Sequence, residues 1–586
     1  MPKKTASTDS LYNIRHSLAH LLAAAVLKKY PKTKLGVGPV IEHGFYYDFL
    51  LPKPISPEDL KDFEREMRAL IGQKLPFKGK VVAPAEAKKK FKNQPFKLDL
   101  IKDFIKEKSK LTSYTTGDVF LDLCRGGHVK NTSEINPEGF KLTHLAGAYW
   151  KGDENNPQLT RIYGAAFENK KELEAHLVML EEARKRDHRK LGKELDLFVF
   201  SDLIGPGLPV YTPRGTVVLN EIKNFSRSLR KEIGYEEVQS PQINKGNLFK
   251  ISGHYDKYKD DMFRARSNYT EEEYFLKPMN CPQHTQVYAS RPRSYKELPL
   301  RLADFAILYR DEKPGELSGL TRLRSFSQDD GHCFAREDQI EQEFNAVLGA
   351  IKKALEVYGL NYLIRLSLRD EKNKKAYLGD DKTWKKSQQI MRKLLKENKI
   401  DFVEAEGEAA FYGPKMDIIA KDSLGREWQI STIQLDLNMA TRFGLEYIDE
   451  KGKKQTPVMI HSALVGSPER FLGILIEHYA GHFPVWLAPV QVQILPVSDK
   501  FAMYGKNILD TLAESGIRAE LTESNESLGK RIREGELQKI PYLLIVGEKE
   551  QGESTVSVRS REKGQEGTLR LADFLENLEK RIKTRS

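Results

Sequence analysis

Arginines at the ends of polar loops, and cysteines and histidines close to them, are the residues of this 586-residue chain best placed to do chemistry. From Tyr309-Arg310-Asp311-Glu312 to Leu320-Thr321-Arg322-Leu323-Arg324-Ser325-Phe326-Ser327-Gln328-Asp329-Asp330-Gly331-His332 the layout is strand, polar loop and returning strand. A guanidinium keeps its charge and donates two parallel hydrogen bonds, which suits phosphate oxygens. Phe326 adds a flat ring for stacking on a base, and His332 closes the stretch with a possible metal ligand. An ordinary charged hairpin has the same pattern. Further along, Gly466-Ser467-Pro468-Glu469-Arg470-Phe471 reads as a helix start. Ser467 caps it, Pro468 takes its first position and Arg470 lies in its first turn, as a second phosphate ligand or as a surface arginine.

The three cysteines, Cys124, Cys281 and Cys333, are too few and too scattered for a disulfide framework. Cys281, His332 and His461 lie far apart in sequence, and spacing alone makes no zinc case for them. Three unrelated buried residues fit that spacing equally well. Cys333 reads as a buried thiol. His16 and His20 are one helical turn apart, so both rings can point to one side. Cys124 and His128 have the same spacing, but Gly126 and Gly127 make that segment a loop. Four such side chains could hold zinc tetrahedrally. Proteolysis is disfavoured, because Ser17 stands where a zinc-protease helix needs glutamate.

These residues need elements to position them. An apolar helix from Leu11 to about Val26 follows a polar tail over residues 1–10. An amphipathic helix spans about 58–71, and Val119–Cys124 reads as a strand entering the Gly-Gly loop. A charged helix over about 170–190 closes a first unit as a solvated connector. In the next helix, Val218, Ile222, Phe225 and Leu229 share one face, and Gly234 suits its C-terminus. A strand Tyr235–Ser240 then stops at Pro241. After the proline-bearing linker 483–489, strands alternate with helices, which predicts a compact α/β domain with a largely parallel sheet. The domains expected are therefore 11–190, 191–484 and 485–586. No apolar run approaches the ~18 residues of a membrane span, and the N-terminus lacks a signal-peptide core, so a cytoplasmic protein without membrane contact is expected. The net charge of +12 permits a polyanionic partner without identifying one. The chain has no Walker-type Gly-rich loop.

The Arg310–His332 stretch resembles the second signature motif of class II aminoacyl-tRNA synthetases, and its ending, Gln328-Asp329-Asp330-Gly331-His332, resembles that of the threonyl-tRNA synthetase family. The helix–strand–Pro241 order is similar to motif 1, which in the family builds a homodimer interface, and Gly466–Phe471 is similar to motif 3. The resemblance implies an antiparallel-sheet catalytic core that ligates L-threonine to tRNA(Thr) through threonyl-adenylate, using ATP with Mg2+. By resemblance, Arg310 holds the α-phosphate and Arg470 the γ-phosphate. Glu312, Arg322, Phe326, Lys415, Gln429 and Ser467 complete the ATP contacts. Cys281, His332 and His461 then become ligands of one zinc per subunit, leaving an open position. Gln328, Asp330, Tyr412, Gln429 and Gln434 become threonine contacts, and His254 helps to move a proton of the tRNA's terminal ribose.

Zinc that binds an amino group and a hydroxyl rejects valine but accepts serine. One missing methyl gives only ~10–200-fold discrimination, so a second, hydrolytic site is required. The first unit resembles the family's editing domain, which works without a required metal. That implies roles for His16, His20, Tyr47, Asp122, Cys124 and His128 on seryl-tRNA(Thr), with Gly127 where the family commonly has proline. The C-terminal unit resembles the family's anticodon-binding domain, with Asn525, Glu550 and Arg559 as contacts. Arg559 would otherwise be a plain surface arginine, and the basic helix 530–533 a solvated face. Many bacterial relatives carry a further small domain before the editing unit, and its absence is expected here. A seryl or prolyl synthetase, and an inactive RNA-binding paralogue, are the rival readings. The Cys281/His332/His461 set and the first unit argue against the first, and the retained Arg310, Arg470 and three metal positions against the second.

Overall fold

The computed structural model describes residues 10–153, 155–422 and 425–586. Of the expected tail, residues 1–9 lie outside the described residues, and Ser10 opens the first helix, Ser10–Lys29. Contacts part the chain into two compact units between Glu181 and Glu182. No described helix is long and apolar enough to cross a membrane.

In the first unit the helix Ser10–Lys29 is buried along Ser17–Val26. It packs on the strand Gly44–Leu50 and on the helix Asp59–Gly72. The latter buries Leu60, Phe63, Met67, Leu70 and Ile71, the spacing of one helical face. Gly44–Leu50, Gln158–Ala166 and Phe140–Tyr149 pair antiparallel in that order. A separate antiparallel sheet of Phe77–Val81, Thr112–Thr116 and Phe120–Leu123 ends at Cys124. The expected single helix over 170–190 is two helices, Lys170–Arg186 and His188–Glu194. Asp187 breaks them apart: its side chain accepts from Arg189 N and caps the second.

The second unit is built on an eight-stranded sheet. Its order is Glu236–Glu237, Leu300–Asp304, Asp330–Ala335, Val458–Ala463, Glu427–Asp436, Lys415–Lys421, Asn361–Leu368 and Phe402–Glu406. All internal pairs are antiparallel, and the two outermost pairs are parallel. The expected strand Tyr235–Ser240 shortens to Glu236–Glu237, because this edge has a single partner and Ser240 bonds the side chain of Asp304 instead. Ile307–Tyr309 and Ser325–Ser327 form the expected hairpin. The helix Pro213–Glu232 buries Val218, Ile222, Phe225 and Leu229, as their spacing predicts.

In the C-terminal part, Val492–Pro496 pairs parallel with Ala519–Leu521 and with Tyr542–Val546. The next two pairs, with Thr555–Ser560 and then Gly564–Arg570, are antiparallel, so the largely parallel sheet expected is a mixed one. A parallel return needs a crossover of a dozen residues or more, and the six-residue helix Glu548–Glu553 cannot supply it. The expected linker is buried: Phe483, Trp486 and Leu487 join the core of the eight-stranded sheet. Arg518 fastens it, donating to Trp486 O at 2.6 Å and Ala488 O at 3.0 Å. Arg531, within the supposed solvated face, is 1% exposed.

Candidate functional site

One cavity, of about 600 Å³, is walled by the hairpin, by the strand Asp330–Ala335 and by the start of the helix Pro468–Tyr479. Asp329 stitches these walls together, its carboxylate accepting from Leu464 N, Val465 N and the buried Arg230. Arg310 enters the cavity beside Phe326, its guanidinium carbon 5.1 Å from the ring centre. Arg322 and Glu312 are bound to each other at 2.9 Å, and Arg322 also holds Glu316 at 2.6 Å. Arg470 sits one turn into its helix, whose cap is Ser467 Oγ accepting from Arg470 N at 3.3 Å. Burial draws both Arg310 and Arg470 below the usual guanidinium pKa. The Arg470 Nε is buried without a hydrogen-bond partner. A buried donor left unpaired costs about 1–3 kcal/mol, so this wall favours an anion.

At the inner end of the cavity Cys281, His332 and His461 converge. Their donor atoms lie within 4.8 Å of one another, and all three side chains are buried. His332 and His461 face each other across paired strands, while Cys281 opens the helix Cys281–Ala289. The outer nitrogens of both rings are held: His461 Nε2 by Asp436 at 3.1 Å, and His332 Nδ1 by His284 at 2.8 Å. Ring orientation fixed from behind is typical of metal-binding histidines. Burial, then the neighbouring histidines, holds His332 well below its ordinary pKa, so its imidazole is neutral and able to ligate. Burial, then Asp330, pushes the Cys281 thiol up. The donor set of one sulfur and two nitrogens fits zinc.

Tyr412 stacks on His461 at 4.6 Å and donates to Gln434 at 2.5 Å. Gln328, Asp330, Gln429, Gln434 and Tyr412 all line the cavity. Two expected residues do not. Lys415 ion-pairs with Asp417 at 2.7 Å, because that fully buried carboxylate draws in the nearest cation on its own strand. His254 lies behind Cys281, with Nε2 3.4 Å from the sulfur and Nδ1 2.8 Å from Ser252 Oγ. Burial, then His461, holds its pKa at about 3. Asp436 and His284 were missed by sequence reasoning. Alternation from Gln434 along the strand would have pointed to Asp436.

The first unit holds a second cluster. Donor atoms of His16, His20, Cys124 and His128 lie within 4.8 Å of one another. Cys124 Sγ is 3.1 Å from His128 Nε2 and 3.5 Å from His16 Nε2. Asp122 bridges Tyr47 OH and Lys97 Nζ at 2.5 Å each and approaches His20 at 3.9 Å. Lys97 and Ser17, which bonds His128 Nδ1 at 3.2 Å, were not anticipated. Lys97 carried no signal, lying in a helix of ordinary charged residues. Burial lowers His16, His20 and His128, and it pushes the Cys124 thiol up to about 12. These are therefore neutral groups that can order a water. Gly127 stands at φ +86°, a backbone that proline, fixed near −65°, cannot adopt.

Of the expected RNA contacts, Asn525 is exposed. Glu550 accepts from Gly547 N at 3.0 Å at a helix start, and Arg559 is paired with Glu536 at 2.7 Å.

Three known families match the chain. Residues 263–479 match the class II core domain of tRNA synthetases (G, H, P, S and T). Residues 491–581 match an anticodon binding domain, and residues 111–163 match the second additional domain of threonyl and alanyl tRNA synthetases. The chain is 48% identical to a threonine–tRNA ligase of Gloeobacter violaceus, over 100% of this chain and 94% of that protein. It is also 48% identical to one of Thermus thermophilus, over 96% and 87%. Among solved structures, the RNA binding domain of threonyl-tRNA synthetase from Cryptosporidium parvum superposes with a TM-score of 0.65 at 36% identity. The match covers 67% of this chain and 98% of that one.

Proposed function

The chain belongs to the threonine–tRNA ligase family, and from that premise we propose how its residues divide the work. Its class II core charges tRNA with threonine, and its first unit carries the editing domain. The observation that carries the residue assignment is the meeting, in one cavity, of two cations with a buried cysteine and two histidines.

Adenylate formation brings an amino-acid carboxylate to the α-phosphate of ATP, and pyrophosphate leaves. Two anions must meet, so positioning and fixed positive charge do the catalysis and no protein nucleophile is required. Arg310 is assigned to the α-phosphate, and Arg470 to the γ-phosphate, on the support of its unpaired Nε. Phe326 stacks on the adenine opposite Arg310, and Glu312 and Arg322 take the base edge and the bent triphosphate from the rim. Ser467 holds Arg470 in place through the cap, and Gln429 reaches the nucleotide side of the cavity. Mg2+ accompanies ATP. The ion pair with Asp417 makes Lys415 a strand brace.

Cys281, His332 and His461 are assigned to one zinc; when bound, it supplies a Lewis-acid position for the amino group and hydroxyl of threonine. Asp330, Gln328, Tyr412 and Gln434 orient the amino acid around it. His254, a neutral imidazole behind Cys281, is proposed to help in moving the ribose proton. In the first unit Asp122, Tyr47 and Lys97 fix the floor against which His16, His20, Cys124 and His128 hold water toward a seryl ester. Asn525, Glu550 and Arg559 are the proposed anticodon contacts, and a cytoplasmic homodimer is the proposed assembly.

Amino-acid-dependent ATP–pyrophosphate exchange tests the reading. Exchange is expected with threonine, weakly with serine, and at background with valine and proline. Exchange driven by proline or serine alone would assign the cavity to a different synthetase.

A further inference from the structure

Outside the cavity, Asp187, His188 and Glu477 form a third group of metal-ligating side chains. Both nitrogens of His188 are already used. Nε2 accepts from Leu320 N at 2.9 Å, and Nδ1 meets Glu477 Oε1 at 2.6 Å. A backbone N–H can only donate, so Nε2 carries the lone pair and Nδ1 the proton. That leaves no free nitrogen for a metal, and the group has another use.

Leu320 belongs to the tight turn at the tip of the motif 2 loop. Thr321 N bonds Ser318 O at 2.9 Å, and Ser318 bridges to Arg322. Gly319 stands at φ +48°, and a Cβ there would fall 2.1 Å from His188 Nε2. The turn is therefore pressed onto the imidazole. Leu320, Thr321 and Arg322 all line the cavity. Behind the ring, Glu477 also accepts from the backbone N of His188 at 3.1 Å and from Arg426. Arg426 lies 5.5 Å from the Trp428 ring, and Arg470 lies 5.9 Å from the same ring. One imidazole thus joins the backbone of the motif 2 turn to the helix that carries Arg470. His188 is the first residue after the Asp187 break, where the charged connector ends.

We propose that His188 is a positioning residue for ATP. Its Nε2 fixes the Leu320–Arg322 turn, so that Arg322 and Glu312 stand ready at the cavity rim. The inference rests on the assignment of that cavity to ATP.

Glutamine places its Oε1 near the position of Nε2 and keeps an acceptor for Leu320 N, whereas asparagine reaches only the Nδ1 position. The test compares His188→Gln, His188→Asn and His188→Phe in the full chain, by calorimetric binding of Mg-ATP and by threonine-dependent exchange. His188→Asn and His188→Phe are expected to weaken ATP, in Kd and in KM, about tenfold, the scale of one lost hydrogen bond. KM for threonine should stay unchanged, and His188→Gln should restore ATP binding. Equal ATP affinity in the Asn and Gln variants would overturn the proposal, as would a parallel loss for ATP and threonine. Failure of the wild-type chain to bind ATP would instead remove the cavity assignment.

Discussion

Cys281 and Cys124 are both buried thiols beside two or more histidines, yet their surroundings differ in what they ask of the sulfur. At Cys281 the neighbouring rings are held from behind by Asp436 and His284, and His254 Nε2 lies 3.4 Å from the sulfur. At Cys124 the sulfur is already engaged by His128 and His16 and by Gly126 N at 3.3 Å. Metal binding requires the thiolate and releases its proton; at Cys281 a bound cation would offset a thiol pushed up by burial, and both ligand rings are already oriented from behind. The expected zinc content is one equivalent per chain. Cys281→Ala should lose the metal together with threonine-dependent exchange, and Cys124→Ala should keep both. Asp436→Ala, which frees the ring of His461, should weaken zinc roughly 10–100-fold. Metal analysis after dialysis against a competing chelator checks all three. One equivalent remaining in Cys281→Ala would refute the assignment.

At the scale of elements, the helix Ser10–Lys29 brings its own prediction. Burial lowers His16, His20 and His128 in the folded protein, while the unfolded chain titrates them near the ordinary value of about 6.5. The unfolded state therefore binds more protons below that pH, and stability rises with pH. The contribution is complete above about pH 6.5 and is lost as pH falls from there toward the lowered folded values. Each histidine left neutral contributes a slope of up to roughly 1.4 kcal/mol per pH unit in that window. Hydrogen exchange of Ser10–Lys29, corrected for intrinsic rates, should show lost protection between pH 6.5 and 5. A profile flat across that window would mean the rings are charged when folded. The helix and its histidine pair were legible in the sequence because i, i+4 spacing is a local property. The hairpin of Arg310 and Phe326 was legible for the same reason. Gln429 and Gln434 were not reconcilable locally, since residues five apart on a regular strand face opposite sides. The register shift opposite Ile418 and Ile419 brings both to the cavity. Lys97 and His284 act only through chain crossings that leave no periodic trace. The antiparallel end of the C-terminal sheet was misread because a strand's own residues do not record its partner's direction.

Over the whole molecule, the cavity and the RNA-binding surface obey different electrostatics. The chain carries 95 basic and 83 acidic residues, a net charge of +12. Many of these charges are paired and exposed, as Arg559 is with Glu536, and such pairs contribute little and are screened by salt. Arg310 and Arg470, by contrast, are half-buried and line the cavity, where salt reaches them less than at the open surface. Docking of a tRNA backbone releases condensed counterions, so its affinity falls steeply with ionic strength, whereas a small nucleotide held in a cavity is less affected. Raising salt from about 50 to about 200 mM should therefore increase KM for tRNA in aminoacylation by at least roughly tenfold. KM for ATP and for threonine in pyrophosphate exchange should change far less over the same range. Steady-state kinetics of the two half-reactions on one preparation measures both slopes. A tRNA KM as indifferent to salt as that of threonine would mean the basic surface does not hold the RNA, and that recognition rests on uncharged contacts. The steep slope expected for tRNA alone would place the excess positive charge on the docking face, apart from the cavity arginines proposed to hold ATP.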